Sequence, residues 1–140
     1  MTNHKVKCAN FEISNDKPFT LIAGPCQLEN ELHAIKISTE LKKITSELGI
    51  NLIYKTSFDK ANRTSLKGKR GMGLEKSLPI FDKIRKDIGI PVLTDVHTAE
   101  QCEILKDHVD ILQIPALSLI HISEPTRRTP ISYAVFCLKK

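Results

Sequence analysis

The densest group of chemically useful side chains lies in the segment Lys55-Thr-Ser-Phe-Asp-Lys-Ala-Asn-Arg-Thr-Ser65. It combines two lysines, an arginine, an amide and several hydroxyls with a single acid, Asp59. Arg63 could bind a phosphate through two parallel hydrogen bonds, and Lys55 or Lys60 could bind a carboxylate or phosphate oxygen. The segment therefore predicts a site for a phosphorylated, polyhydroxylated ligand. The alternative is a solvated basic loop, but Lys55 ends an apolar run and weakens that alternative.

A second candidate is the thiol of Cys26, which follows a Gly-Pro dipeptide in a tight turn. A thiolate there could bind a divalent metal together with histidine or carboxylate side chains from other strands. The alternative is a small buried apolar side chain, because no second ligand lies at a motif spacing. The remaining cysteines show no CxxC spacing and are interpreted as unrelated thiols in a reducing compartment.

An acid and a base, Asp95 and His97, are two residues apart, so in an extended segment they share one face. They could act in acid–base catalysis, bind a substrate hydroxyl or support a metal ligand. The alternative is a polar turn before the next helix. The glycines from Gly68 to Gly73 match neither common phosphate-binding motif, and we interpret this segment as a mobile lid beside the site.

The elements that must position these residues alternate between strand and helix. Helical spacing runs from Ala34 to Leu48, from Leu74 to Ile88, and from Thr98 to about Asp107. Gly49 and Gly89 should end the first two helices, and Thr98 with Gln101 should form a capping box for the third. Four apolar runs predict strands: Phe19–Ala23, Asn51–Lys55, Pro91–Asp95 and Asp110–Ile114. This order predicts a parallel sheet with helical crossovers.

Two local features complete this assignment. Pro79 falls inside the second helical pattern, which requires either that Ser77 caps the helix or that a short turn precedes it. Residues 6–13 should form a small strand or hairpin whose apolar side chains could cover the bottom of a barrel.

Each unusual polar residue lies at or near the carboxyl end of a predicted strand: Cys26, Lys55, Asp95 with His97, and Gln113. Barrel enzymes build active sites at these ends, whereas doubly wound sheets usually bind at one switch point. The fold predicted is therefore an α/β (β/α)₈ TIM barrel. Such a barrel needs about 200–250 residues, and the pattern stops after Ala116. We therefore assign residues 1–116 to the N-terminal half of a barrel, about four βα units, and residues 117–140 to a non-native tail.

The charge distribution and the hydropathy of the chain restrict the classes of molecule that it could bind. Of the net charge of +5, residues 117–140 hold +3 and residues 1–116 hold +2. Within residues 1–116 only the stretch 55–70 is locally basic, and one short basic patch favours a small anionic ligand over a nucleic acid. No apolar run approaches the roughly 18 residues of a membrane span, and the N-terminus has no signal-peptide pattern. A cytoplasmic protein without a membrane partner is expected.

Several motifs, in this order, resemble those of the 3-deoxy-D-manno-octulosonate 8-phosphate synthases. They are Ile22-Ala-Gly-Pro-Cys-Gln-Leu-Glu29, the segment at 55–65, Arg70-Gly-Met-Gly-Leu-Glu75, Leu93-Thr-Asp-Val-His97 and Gln113-Ile-Pro-Ala116. The resemblance covers about residues 5–116. It implies a barrel that assembles as a homotetramer and condenses phosphoenolpyruvate with arabinose 5-phosphate, releasing phosphate, in lipopolysaccharide synthesis.

The resemblance also implies roles for individual residues. Lys55 and Lys60 would contact phosphoenolpyruvate and the sugar, and Ser57 would join the substrate-binding residues. The sugar phosphate would be held by Asn62 and Arg63, with Thr64 in place of a usual serine.

Three strand-end residues, Asp95, His97 and Gln113, would line the reacting centre. Metal-dependent members carry Cys after Gly-Pro and metal-independent members carry Asn, so Cys26 implies a divalent metal in the full-length protein. The other metal ligands of the family lie in the second half of the barrel.

Two other functions stay open. Heptulosonate-phosphate synthases share the barrel and the Gly-Pro-Cys turn but lack the segment at 55–65, and the chain could instead be a non-enzymatic anion-binding fragment. Residues 117–140 depart from the family and resemble a translated sequencing adapter. We therefore expect the 140-residue chain to lack synthase activity and to bind metal weakly.

Overall fold

The computed structural model describes residues 3–59 and 71–114, together with the backbone of a strand near the C-terminus. The strands are β1 Val6–Cys8, β2 Phe11–Ile13, β3 Thr20–Ala23, β4 Asn51–Lys55, β5 Val92–Asp95, β6 Ile111–Gln113 and β7 Phe136–Leu138. The helices are α1 Glu31–Glu47, α2 Leu74–Lys83 and α3 Ala99–Leu105, and a π-helical turn, Ile84–Ile88, continues α2. No helix in these described parts is long and apolar enough to cross a membrane.

The main sheet has the order β3-β4-β5-β6-β7, and its first four strands are parallel. A helix lies between each successive parallel pair along the chain, as the sequence pattern predicts. The parallel sheet and the helical crossovers are therefore confirmed. In the part of the chain that the structure describes, β3 forms one edge of the sheet.

The two faces of the sheet have different coverings because successive side chains of a strand alternate between them. On one face, Tyr54 and Val92 are buried in a core that includes Phe81 of α2 and Leu105 of α3. The other face carries a smaller cluster that joins three strands to the β1–β2 hairpin: Cys8, Ile53, Leu93 and Ile111, with Phe11 and Ile13 packed against it. The hairpin predicted for residues 6–13 is thus confirmed, and its apolar side chains cover this face of the sheet.

Glycine ends two of the helices where the spacing predicts. Gly49 follows α1 with φ 66°, and Gly89 follows the π-helical turn with φ 73°. Both lie in the left-handed region, which glycine enters without the steric cost that a Cβ imposes. At the other end of α1, the Asn30 side chain accepts a hydrogen bond from the His33 N–H at 2.9 Å.

The start of α2 differs from prediction. The helix begins at Leu74 after Gly73 and includes Pro79, so the expectation that Ser77 caps it, or that a separate turn precedes it, is wrong. Ser77 Oγ instead donates to the carbonyl of Gly73 at 2.6 Å. Pro79 cannot donate to the carbonyl of Glu75, and a serine that bonds back to the preceding turn is a known cause of helix bending.

A strand was not expected beyond Ala116. The structure pairs Phe136–Leu138 antiparallel with β6, in the register Ile111↔Leu138. The edge of β6 presents backbone donors and acceptors that any extended segment can satisfy, even one without an alternating pattern.

Candidate active site

Three of the predicted site residues end adjacent strands. Lys55 is the last residue of β4, Asp95 of β5 and Gln113 of β6. Asp95 and Gln113 are direct neighbours in the register of β5 and β6, and Lys55 is the neighbour of Leu93. The strand ends therefore bring these residues to one edge of the sheet, as the sequence predicts.

Alternation along the strands also places these side chains on one face. Each lies two residues beyond a member of the hairpin-covered cluster: Ile53 precedes Lys55, Leu93 precedes Asp95, and Ile111 precedes Gln113. Residues two apart in a strand point to the same side. The candidate site thus lies on the face that the hairpin covers, at the carboxyl ends of the strands.

The ammonium group of Lys55 lies near a buried hydroxyl. Its Nζ is 3.4 Å from Ser57 Oγ, and the Ser57 side chain is fully buried. The main chain of Ser57 is held by the segment after β3, because the Leu28 N–H donates to the Ser57 carbonyl at 2.9 Å and Gln27 forms a bridge with Ser57. A half-buried lysine beside a fixed hydroxyl suits the oxygens of a bound anion.

The turn that carries Cys26 packs against the same strand end. A Cβ placed on Gly24 would lie 2.0 Å from the carbonyl oxygen of Lys55, so only glycine fits. Cys26 itself is exposed, two residues farther along the turn. The close approach of Gly24 explains why a glycine precedes the Pro-Cys pair.

Asp95 and His97 come together without forming a hydrogen bond. His97 Nε2 lies 3.6 Å from Asp95 Oδ2, and each side chain is only 13% exposed. Within the described ranges, Asp95 Oδ1 and both ring nitrogens of His97 have no hydrogen-bond partner. Buried polar atoms normally have partners in a folded protein. This pair is therefore available to hydrogen-bond a bound molecule.

Two neighbours of His97 are not identified as site residues by sequence reasoning. The ring of Phe58 lies 6.1 Å from the His97 ring, centroid to centroid, with an interplanar angle of 53°. The His97 N–H donates to Gln101 Oε1 at 2.7 Å. The sequence signal for Phe58 is its place within the segment at 55–65, but nothing in that position indicates a contact with a residue about 40 positions away.

The predicted capping box of α3 is half confirmed. Thr98 Oγ1 accepts from the Gln101 N–H at 3.3 Å, as predicted. The reciprocal bond of a capping box would run from the Thr98 N–H to the Gln101 side chain, but that side chain accepts from His97 instead. Thr98 is therefore the N-cap as predicted, and only the reciprocal bond is displaced by one residue, from the Thr98 N–H to the His97 N–H.

Four predicted substrate-binding residues lie outside the described residues: Lys60, Asn62, Arg63 and Thr64. The predicted lid lies there in part. The described ends of this stretch meet at Phe58, whose carbonyl accepts from the Gly73 N–H at 3.2 Å. A Cβ on Gly71 would lie 2.4 Å from the same carbonyl oxygen.

The described residues do not build a metal centre around Cys26. They contain no group of three or more histidine, cysteine, aspartate or glutamate side chains that could hold a metal ion. A divalent zinc-like site needs three or four such ligands. Among the described residues, Cys26 therefore has no companion ligands with which to hold a metal ion.

A cavity of about 300 Å³ lies away from this site, at the amino ends of β5 and β6. Its lining includes Arg85 and Asp110, and the Arg85 guanidinium donates to both Asp110 oxygens at 3.0 and 3.1 Å. The Asp110 carboxylate thus neutralises the Arg85 guanidinium within this lining.

Comparison with known proteins gives a consistent result. The DAHP synthetase I family matches residues 3–122. The 2-dehydro-3-deoxyphosphooctonate aldolase of Chelativorans sp. (strain BNC1) is 58% identical over 114 residues, which are 81% of this chain and 41% of that protein. Proteins of the same name from Brucella anthropi and Brucella ovis are 56% identical over 114 residues, with the same shares. The chain thus spans about two fifths of the length of these curated relatives.

Proposed function

Because the chain belongs to the DAHP synthetase I family, we propose that it is the N-terminal part of a 3-deoxy-D-manno-octulosonate 8-phosphate synthase. The whole enzyme condenses phosphoenolpyruvate with arabinose 5-phosphate and releases phosphate, in lipopolysaccharide synthesis. Support comes from relatives named 2-dehydro-3-deoxyphosphooctonate aldolase. The observation that carries the proposal is the convergence of Lys55, Asp95 and Gln113 on adjacent strand ends.

The chemistry of this reaction fits the side chains at the strand ends. Both substrates are anions, and the Lys55 ammonium group beside Ser57 supplies charge-assisted hydrogen bonds to carboxylate or phosphate oxygens. Asp95 and His97 lie close enough to share a substrate hydroxyl or to move a proton at the reacting carbonyl. In this proposal Lys60, Asn62, Arg63 and Thr64 complete the sugar-phosphate site, as the resemblance implies.

We place these residues in a (β/α)₈ barrel. The four parallel strands and their polar carboxyl ends fit one half of such a barrel. The other half corresponds to the part of the relatives that this chain does not span. Residues 117–140 then do not belong to the natural enzyme, and the nucleotide sequence across codon 116 tests this: an adapter sequence supports it and a continuous coding sequence like that of the relatives contradicts it.

In the full-length enzyme, Cys26 is one ligand of a divalent metal, and its other ligands belong to the second half of the barrel. The exposed thiol in the turn beside Lys55 is accessible for this role. By the same resemblance we propose a cytoplasmic homotetramer. The metal content of a full-length protein, compared with that of its Cys26→Asn variant, tests whether Cys26 is a ligand. Sedimentation of the full-length protein tests whether it is a tetramer.

A chimera tests the proposed activity directly. Residues 1–114 of this chain replace the aligned segment of the Chelativorans relative, and phosphate release from phosphoenolpyruvate is measured with either sugar phosphate. We expect activity with arabinose 5-phosphate and little with erythrose 4-phosphate. The Lys55→Met chimera should lose at least tenfold in kcat/KM, since removing a hydrogen bond to a charged group costs about 1.5–3 kcal/mol.

Two results would contradict the proposal. Preference for the four-carbon sugar would identify a heptulosonate-phosphate synthase instead. If the folded chimera binds both sugar phosphates but converts neither, the chain is a non-enzymatic anion-binding fragment.

A further inference from the structure

We propose that Gln101 is a positioning residue that holds the His97 imidazole against Asp95 and Phe58. The carrying observation is the 2.7 Å hydrogen bond from the His97 N–H to Gln101 Oε1. This inference rests on the proposed function for its biological meaning, but the position of His97 can be measured without any turnover.

The main chain around His97 leaves its N–H in need of a partner. The preceding residue, Val96, is still tied to the sheet, since its N–H donates to the Gln113 carbonyl at 2.9 Å. The following residue, Thr98, is the N-cap of α3. His97 therefore lies between sheet and helix, where neither ladder offers an acceptor. The Gln101 side chain supplies that acceptor.

The imidazole itself has few other restraints. Among the residues described, neither ring nitrogen of His97 has a hydrogen-bond partner, and Asp95 Oδ2 lies 3.6 Å from Nε2. The imidazole also lies near the tilted ring of Phe58, with the ring centroids 6.1 Å apart. The ring position is thus set by its main chain and by packing, so that a shift of the main chain changes the distance to Asp95.

Gln101 is well placed to fix that main chain. Its own N–H donates to Thr98 Oγ1 at 3.3 Å, which anchors it in the first turn of α3. The helix packs against the core through Leu105, whose side chain is fully buried. The helix therefore acts as a rigid support from which Gln101 reaches back to the end of β5.

The competing interpretation is that Gln101 only stabilises the start of α3. Two substitutions separate the interpretations. Gln101→Met keeps the length of the side chain and removes the acceptor, whereas Thr98→Ala removes the cap and leaves the bond to His97 in place. Gln101→Glu restores an acceptor oxygen, and Gln101→Asn provides a shorter amide if the methionine variant does not fold.

The experiment is NMR spectroscopy of the isotopically labelled full chain. In Gln101→Met we expect the His97 amide proton to exchange roughly threefold to tenfold faster, the value of one hydrogen bond. The nuclear Overhauser contact between the Phe58 and His97 rings should weaken. Gln101→Glu should restore the amide protection, and Thr98→Ala should change both signals less than Gln101→Met does.

The proposal is overturned if Gln101→Met, or Gln101→Asn in its place, leaves the contact between the Phe58 and His97 rings unchanged. It is equally overturned if Thr98→Ala weakens that contact and the amide protection as strongly as Gln101→Met. These outcomes are independent of the chimera assay: an inactive chimera rejects the proposed function, and an unmoved His97 ring rejects the role of Gln101.

Discussion

Gly24 and Lys55 are in closer contact than any side chain on Gly24 would allow. The turn that carries Cys26 lies so near the end of β4 that a Cβ on Gly24 would approach the Lys55 carbonyl oxygen to 2.0 Å. A backbone carbonyl in the middle of a sheet cannot rotate away as a flexible side chain can. The position of Lys55 therefore depends on a residue that takes no part in the chemistry.

Replacing that glycine should disturb both stability and binding. We expect Gly24→Ala to lower the free energy of unfolding by about 1–3 kcal/mol, the usual range for overpacking, and to weaken binding of arabinose 5-phosphate. Urea denaturation and calorimetric titration measure the two effects. The control is Gly49→Ala, where no atom lies within 4 Å of the new Cβ and only the left-handed φ of 66° is strained. An equal loss of binding in both variants would contradict the steric explanation.

The buried thiol of Cys8 gives a prediction about pH. Burial, with a smaller effect of Asp110, raises the pKa of Cys8 from 9.0 to about 11. Because the raised pKa belongs to the folded state, the stabilisation is complete below pH 9 and is lost as the pH rises through 11.

Between pH 8.5 and 10.5 under reducing conditions, the free energy of unfolding should therefore fall more in the wild type than in Cys8→Ala, by up to about 2 kcal/mol. Burial also raises the pKa of Tyr54, so a Tyr54→Phe background removes its contribution. An equal slope with and without Cys8 in that background would show that the thiol is not buried in solution.

At the scale of single residues, the sequence predicts that Lys55 and Asp95 end their strands, because the apolar runs stop there. It places Gln113 only near the end of a strand predicted to reach Ile114, one residue beyond the end of β6. It does not predict which side chain satisfies the His97 N–H. A glutamine three residues after a threonine is a capping signal, and only the geometry of the turn decides that its oxygen reaches His97.

Helix and strand are joined at the amino ends of β5 and β6 by one ion pair. Arg85, in the π-helical turn, donates from two nitrogens to the two oxygens of Asp110, and one of these oxygens also accepts from the Val92 N–H at 2.9 Å. Their side chains are 29% and 16% exposed. Asp110 thus connects the π-helical turn to β5 through one carboxylate.

Loss of this carboxylate should be costly. We expect Asp110→Ala to lower the free energy of unfolding by about 2–3 kcal/mol, since it leaves a partly buried guanidinium and a backbone N–H without their acceptor. The matched control is Glu103→Ala, which breaks the exposed pair with Lys106 and should cost less than about 1 kcal/mol. Urea denaturation measures the free energy of unfolding of both variants. Similar losses would show that the Asp110 pair contributes no more to stability than a surface pair.

The helix ends illustrate what local chemistry can predict. Gly49 and Gly89 end their helices because the left-handed conformation favours glycine, and this preference is visible in the sequence. Pro79 is different. A proline usually marks a boundary, but here the packing of Ile80 and Phe81 in the core holds it inside α2, and tertiary packing is not visible in local sequence.

At the scale of the whole molecule, the sheet of the described residues has an open edge. β3 ends the described sheet on one side, and its residue Ile22 is 45% exposed, with Phe19 63% exposed just before it. An uncovered edge with apolar side chains is a site for pairing between chains. In the proposed barrel, a further strand would cover this edge.

We therefore expect the chain to self-associate through β3. Ile22→Lys should reduce the associated fraction in sedimentation velocity at a fixed concentration, because a charge on the edge opposes pairing. Ile104→Lys is the control, since Ile104 is equally exposed, at 45%, but lies on α3. Equal effects of both substitutions would indicate general hydrophobic association instead.

For the whole molecule, the sequence predicts the four parallel strands, because strand and helix patterns alternate with short connections. It does not predict that Phe136–Leu138 pairs with β6, since that pairing depends on which edge is left open and not on a pattern in the segment itself.

The central claim is that the carboxyl ends of β4, β5 and β6 bind a phosphorylated substrate through Lys55. Calorimetric titration of the 140-residue chain with arabinose 5-phosphate tests it most directly, with Lys36→Met as a control for the loss of one exposed positive charge. We predict measurable binding to the wild type and to Lys36→Met, and at least tenfold weaker binding to Lys55→Met. Absence of binding to the folded wild type, or equal binding by both lysine variants, would contradict the account.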